Sequence, residues 1–86
     1  GPPLAPIDVF AYRVGHTVFV DWATAASGPA PTAYRLDVSG TFIGSFHTTT
    51  RALSGTVGPG TYTLSVVAIN ACGVSAAAAP WTVAVP

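Results

Sequence analysis

Residues Val57 to Ser75 read VGPGTYTLSVVAINACGVS, and this stretch decides the fold. Gly58, Pro59 and Gly60 make a tight corner, since proline presets its backbone angle and glycine tolerates the conformations a reversal needs. From Tyr62 onward every second residue, Tyr62, Leu64, Val66 and Ala68, suits one buried face. A period of two is that of a strand with one face in a core and the other toward solvent.

The same period runs through the rest of the chain. Ile7, Val9 and Ala11 share one parity and lead through a short turn at Gly15-His16 to Val18, Val20 and Trp22, a hairpin whose inward residues are these six. The segment Ala25 to Thr32, with Ser27, Gly28, Pro29 and Pro31, is a loop, after which Tyr34, Leu36 and Val38 alternate with Arg35 and Asp37. Ser39-Gly40 turns the chain into a short strand within Thr41 to His47, marked by Phe42 and Phe46, and Leu53 and Val57 belong to a fifth strand. The sixth runs from Tyr62 to about Asn70 and the last from Trp81 to Val85, where Trp81, Val83 and Val85 alternate. Ala76 to Ala79, closed by Pro80, is too short to nucleate a helix and reads as a loop. No window of period 3.6 survives the glycine and proline punctuation. The expectation is an all-β, seven-stranded immunoglobulin-like β-sandwich.

Eighty-six residues with one cysteine give one domain without an internal disulfide, so apolar burial must hold it. Each large buried side chain contributes roughly 1.5–3 kcal/mol. The charged residues are Arg13, Arg35, Arg51, Asp8, Asp21 and Asp37, which balance to zero and form no run, so no basic patch for nucleic acid or anionic membrane exists. No apolar run approaches the ~20 residues a membrane helix needs. Methionine, lysine and glutamate are absent, while Ala, Val, Thr and Gly abound, a bias common in secreted bacterial proteins. Residues 1–3, beginning Gly1-Pro2, read as a linker or a protease-cleavage scar, and residues 4–86 as the domain.

Four motifs together resemble a fibronectin type III domain of the bacterial kind. Val18, Val20 and Trp22 form a V-x-V-x-W strand; Tyr34, Leu36 and Val38 fit a Y-x-V/L strand; Asn70, Gly73 and Ser75 fit an N-x-x-G-x-S loop. Val57 to Tyr62 is similar to the family's L-x-P-G-T-x-Y corner, with Val57 for leucine and one residue fewer before Tyr62. The resemblance implies structural roles for three residues: Trp22 and Tyr34 in the core, and Tyr62 as a corner tyrosine whose hydroxyl bonds back to nearby backbone. No Arg-Gly-Asp triplet is present, so the integrin binding of some animal members does not carry over.

Catalysis needs convergent groups, and none converge here. Asp21 and Asp37 lie on strand faces opposite the core; His16 sits in a turn and His47 at a strand end; Cys72 has no partner at metal-site spacing. No enzyme activity, metal or cofactor is expected. Cys72, in the loop after the sixth strand, is either a reactive exposed thiol or a small, partly buried loop residue, the commoner setting for free cysteine. If Val9, Ala11, Val18 and Val20 face in, then Phe10, Tyr12 and Phe19 face out on neighbouring strands and would contact another domain or stack on sugar rings. The alternatives are partial burial against loops or an adjacent module, or a one-residue slip that turns Phe10 and Tyr12 inward.

The expected function is a non-catalytic accessory module of a multidomain secreted or cell-surface bacterial protein, acting as a monomeric spacer or protein-interaction domain beside its neighbours, with a polysaccharide- or polymer-degrading enzyme as one parent. Pro2-Pro3 and Pro86 suit stiff junctions. The alternative is direct binding of carbohydrate or a cell-surface protein, through Phe10, Tyr12 and Phe19 or the loops near Ala25 to Thr32 and Cys72.

Overall fold

Two antiparallel sheets face each other across one apolar layer in the computed structural model, which describes residues 1–86. The strands are β1 (Ile7–Val14), β2 (Thr17–Ala23), β3 (Ala33–Gly40), β4 (Gly44–Thr48), β5 (Ala52–Thr56), β6 (Gly60–Asn70), β7 (Gly73–Val74) and β8 (Trp81–Val85). One sheet has the order β1-β2-β5; in the other, β4, β3 and β6 run side by side, and β7 and β8 both pair with β6. The expected last strand, Trp81 to Val85, is β8; β7 is an added two-residue strand in the stretch expected to be the loop after the sixth strand, and the Ala-rich segment that ends at Pro80 lies between the two.

The core is the predicted set of alternating residues. Trp22, Tyr34, Leu36, Tyr62, Leu64, Val66 and Ala68 are buried together with Ala11, Val18, Val20, Val83 and Val85. Trp22 meets the edge of Tyr34 with ring centroids 5.5 Å apart. The Trp22 indole N–H is buried without a hydrogen-bond partner, which costs about 1–3 kcal/mol. Burying about 150–250 Å² of aromatic surface at ~25 cal/mol per Å² contributes roughly 4–6 kcal/mol, so the ring stays in. The Tyr34 hydroxyl hydrogen-bonds the Thr24 hydroxyl at 2.7 Å. The Tyr62 hydroxyl donates to the Gly58 carbonyl at 2.7 Å, which is the corner the resemblance implies.

Three expectations change. Ile7 is exposed rather than inward. Between Ile7 and Phe10 the register against β2 gains one residue on β1, and Asp8 takes a φ of 55°, so this bulge turns Ile7 off the core face. The fourth strand begins at Gly44, leaving Phe42 in the preceding turn. Trp81 shares parity with Val83 and Val85 but is 37% exposed, because it opens β8 at the seam where β8 passes β1.

Entry and exit lie at opposite poles of a body 41 × 20 × 19 Å. At one pole the Asn70 side-chain amide donates to the Gly1 carbonyl at 3.0 Å, and Pro3 and Pro6 are buried. At the other, beside the β1–β2 turn, His16 Nε2 lies 3.0 Å from the Pro86 carbonyl. That turn is two residues long, and Gly15 at its first position has a φ of 61°, as a type II′ hairpin requires.

Candidate functional site

Phe10 and Tyr12 alternate with the inward Val9 and Ala11, so both project from the outer face of β1, 48% and 45% exposed. Phe19 sits directly across the ladder from Tyr12 on β2, half-buried, and their rings stack at 5.1 Å with an interplanar angle of 12°. Phe10 lies 5.8 Å from Tyr12, and Trp81 closes on Phe10 edge-to-face at 5.2 Å. The three predicted aromatics are thus brought together, and Trp81 extends them to a row of four. Arg13 fastens that seam, its Nε donating to the Ala84 carbonyl of β8 at 3.0 Å. Because Tyr12 and Phe19 stack on each other, the row offers a ligand less free ring face than a flat platform would.

The polar groups are dispersed. On the outer face of the second sheet, Arg35 Nε and Nη2 donate to the two Asp37 carboxylate oxygens at 2.8 and 3.1 Å, and the Ser45 hydroxyl adds a third bond at 2.8 Å. The hydrogen bonds from Arg35 hold the Asp37 carboxyl below its ordinary value against the opposing effect of desolvation, with Ser45 assisting. Asp8 and Asp21 are exposed on the other sheet. No group of three His, Cys, Asp or Glu side chains is placed to hold a metal ion. No helix is long and apolar enough to cross a membrane.

Cys72 is exposed rather than partly buried. Asn70 Oδ1 accepts the Cys72 N–H at 2.9 Å, an Asx-type turn that holds the loop out at the pole and leaves the thiol in solvent.

One feature of the opposite seam escaped the sequence reading. Phe46 pairs with Leu36 and so points inward, yet is 47% exposed, because β5 carries a large side chain at only one of its inward positions. The inward positions of β5 are Leu53 and Gly55, the latter paired with Val18, and a Cβ at Gly55 would meet open space. The signal was a glycine at an inward position in the strand Ala52–Thr56, hidden because glycine reads equally well as turn punctuation.

No family model matches this chain, and no curated protein matches it. Solved structures do. A myokine structure superposes with a TM-score of 0.81 at 20% identity, covering 98% of both chains. The FN5 domain of Drosophila Lar gives 0.74 at 21% identity, covering 98% of this chain and 97% of that one. The chicken CNTN1 FN1-FN3 structure gives 0.84 at 13% identity over 98% of this chain, which spans 32% of that longer one. At these identities the likeness is one of fold, and the fold is that of a fibronectin type III domain.

Proposed function

We propose that this chain, with its fibronectin type III fold, is a non-catalytic spacer module that holds neighbouring domains apart in a multidomain protein. The observation that carries this reading is the placement of entry and exit at opposite poles of a 41 Å body, each tied down by a hydrogen bond, Asn70 to Gly1 and His16 to Pro86. Neighbours attached there are separated by about the long axis of the domain. The dispersal of its acids, histidines and cysteine supports a non-catalytic role. The Ala-, Thr- and Gly-rich, lysine-free composition supports a secreted or cell-surface bacterial parent, of which a polysaccharide- or polymer-degrading enzyme is one kind. The module works as a monomer. Small-angle scattering of the parent polypeptide with and without residues 1–86 tests the reading: removal should bring the flanking domains closer by about the 41 Å long axis, and an unchanged separation would refute it.

The exposed aromatic row favours a second reading, contact with a carbohydrate or a cell-surface protein through Phe10, Tyr12, Phe19 and Trp81. Amide chemical shifts during titration with soluble polysaccharide separate the two. Saturable shifts on β1, β2 and β8 support binding, and a spacer gives none.

A further inference from the structure

The open seam between β4 and β5 forms a cleft of about 480 Å³ that runs into the core. Its walls are Phe42 and Phe46 on one side, stacked 6.2 Å apart, and Leu53 with the vacant inward position of Gly55 on the other; Leu36 and Tyr62 lie at its floor. A cavity of about 300–1,000 Å³ with a mainly apolar lining is the usual form of a small-molecule site. We propose that this cleft binds a small, uncharged, mainly apolar molecule bearing at most one or two neutral hydrogen-bonding groups.

Charge selects the occupant. None of the six charged side chains lines the cleft, so an ionised group placed there would lose its hydration without a partner. The Tyr62 hydroxyl, the polar group at the floor, is already committed to Gly58. Hydrogen bonding is available only at the mouth. Val57 N–H bonds the His16 carbonyl and Trp22 N–H the Arg51 carbonyl, and antiparallel alternation between these two contacts turns the backbone groups of Ser54 and Thr56 away from β2, to the free edge beside the cleft. A ligand with an aromatic or aliphatic body fills the space left by the missing Gly55 side chain, restores the contacts that Phe46 and Leu53 lack, and sets a hydroxyl or amide against that edge.

The neutral fluorophore N-phenyl-1-naphthylamine, with 1-decanol as competitor, probes the 86-residue chain directly. Expected are a saturable, one-to-one fluorescence increase reversed by decanol, and amide shifts centred on Leu36, Phe46, Leu53 and Gly55. Gly55→Val fills the cleft and should weaken binding at least tenfold while raising the melting temperature. Phe46→Ser, at a half-exposed position, should also weaken it. Asp21→Asn, exposed on the outer face of the three-stranded sheet, should not. The proposal is overturned by the absence of saturable binding, by Gly55→Val and Phe46→Ser binding the probe as tightly as the unaltered chain, by loss of binding in Asp21→Asn, or by concentration-dependent dimerisation that displaces the probe and so assigns the cleft to a second copy of the chain.

Discussion

Ser75 stands in for a sheet strand opposite Ala68: its N–H donates to the Ala68 carbonyl at 2.8 Å, and its hydroxyl oxygen accepts the Ala68 N–H at 2.9 Å. A side chain thereby occupies the place a backbone carbonyl would take, at the point where β7 has ended and β8 has not begun. The same hydroxyl donates to the Ala76 carbonyl at 2.7 Å. Replacing Ser75 by alanine strands the Ala68 N–H in the core. Chemical denaturation of Ser75→Ala should show a loss of about 1–3 kcal/mol, together with faster amide exchange at Ala68. A loss below a few tenths would mean that water replaces the hydroxyl.

Tyr62 separates hydrogen bonding from packing. Tyr62→Phe removes only the bond to Gly58 and should cost about 0.5–1.5 kcal/mol. Tyr62→Ala also empties part of the core and should cost about 3–5 kcal/mol. Equal losses for the two variants would contradict a hydroxyl that acts only at the corner.

The Arg35–Asp37 pair predicts a dependence on acid. The Asp37 carboxyl is held below its ordinary value in the folded chain, mainly by the hydrogen bonds from Arg35, so its ionised form is the one folding favours. Its contribution is fully present above the unfolded value of about 4 and disappears as pH falls through the lower folded value. Asp37→Asn should therefore flatten the stability profile below about pH 4 and leave the slope at neutral pH unchanged. The pair is about one-third exposed, so the effect should be small and should shrink further in molar salt.

Cys72 should react with a thiol reagent in the native protein at a rate close to that of the unfolded chain, since its side chain is in solvent. Protection by an order of magnitude or more would mean that the loop closes over it. Asn70→Ala, which removes the acceptor for the Cys72 N–H, should leave the labelling rate nearly unchanged while loosening the loop in amide exchange.

What the sequence displayed, and what it hid, divides along the range of the forces involved. The inward sets of β2, β3 and β6 were legible because every second residue from Val18 to Trp22, Tyr34 to Leu36 and Tyr62 to Ala68 is apolar and buried, with Val67 alone in these stretches also buried on the opposite face. Ile7 was misplaced because a single residue, Asp8, adopts a left-handed backbone and resets the parity. No alternation of residue types records that. The outward facing of Phe10, Tyr12 and Phe19 followed from parity, whereas the arrival of Trp81 beside them depends on β8 and β1 meeting at a seam between sheets. The cleft was invisible for the same reason: it exists between β4 and β5, the edges of two different sheets, and each edge alone reads as ordinary.

The opposite placement of Gly1 and Pro86 has a mechanical consequence. β1 and β8 both run from the Asn70 pole toward the His16 pole, so a pull on the two ends drags β1 along β2 in one direction and β8 along β6 in the other. Tension therefore loads each row of backbone hydrogen bonds sideways and all together, where a pull from the side would part them one at a time. Stretched by its ends, the domain should resist as a unit and give way in a single abrupt step, a small fuse in whatever chain carries it.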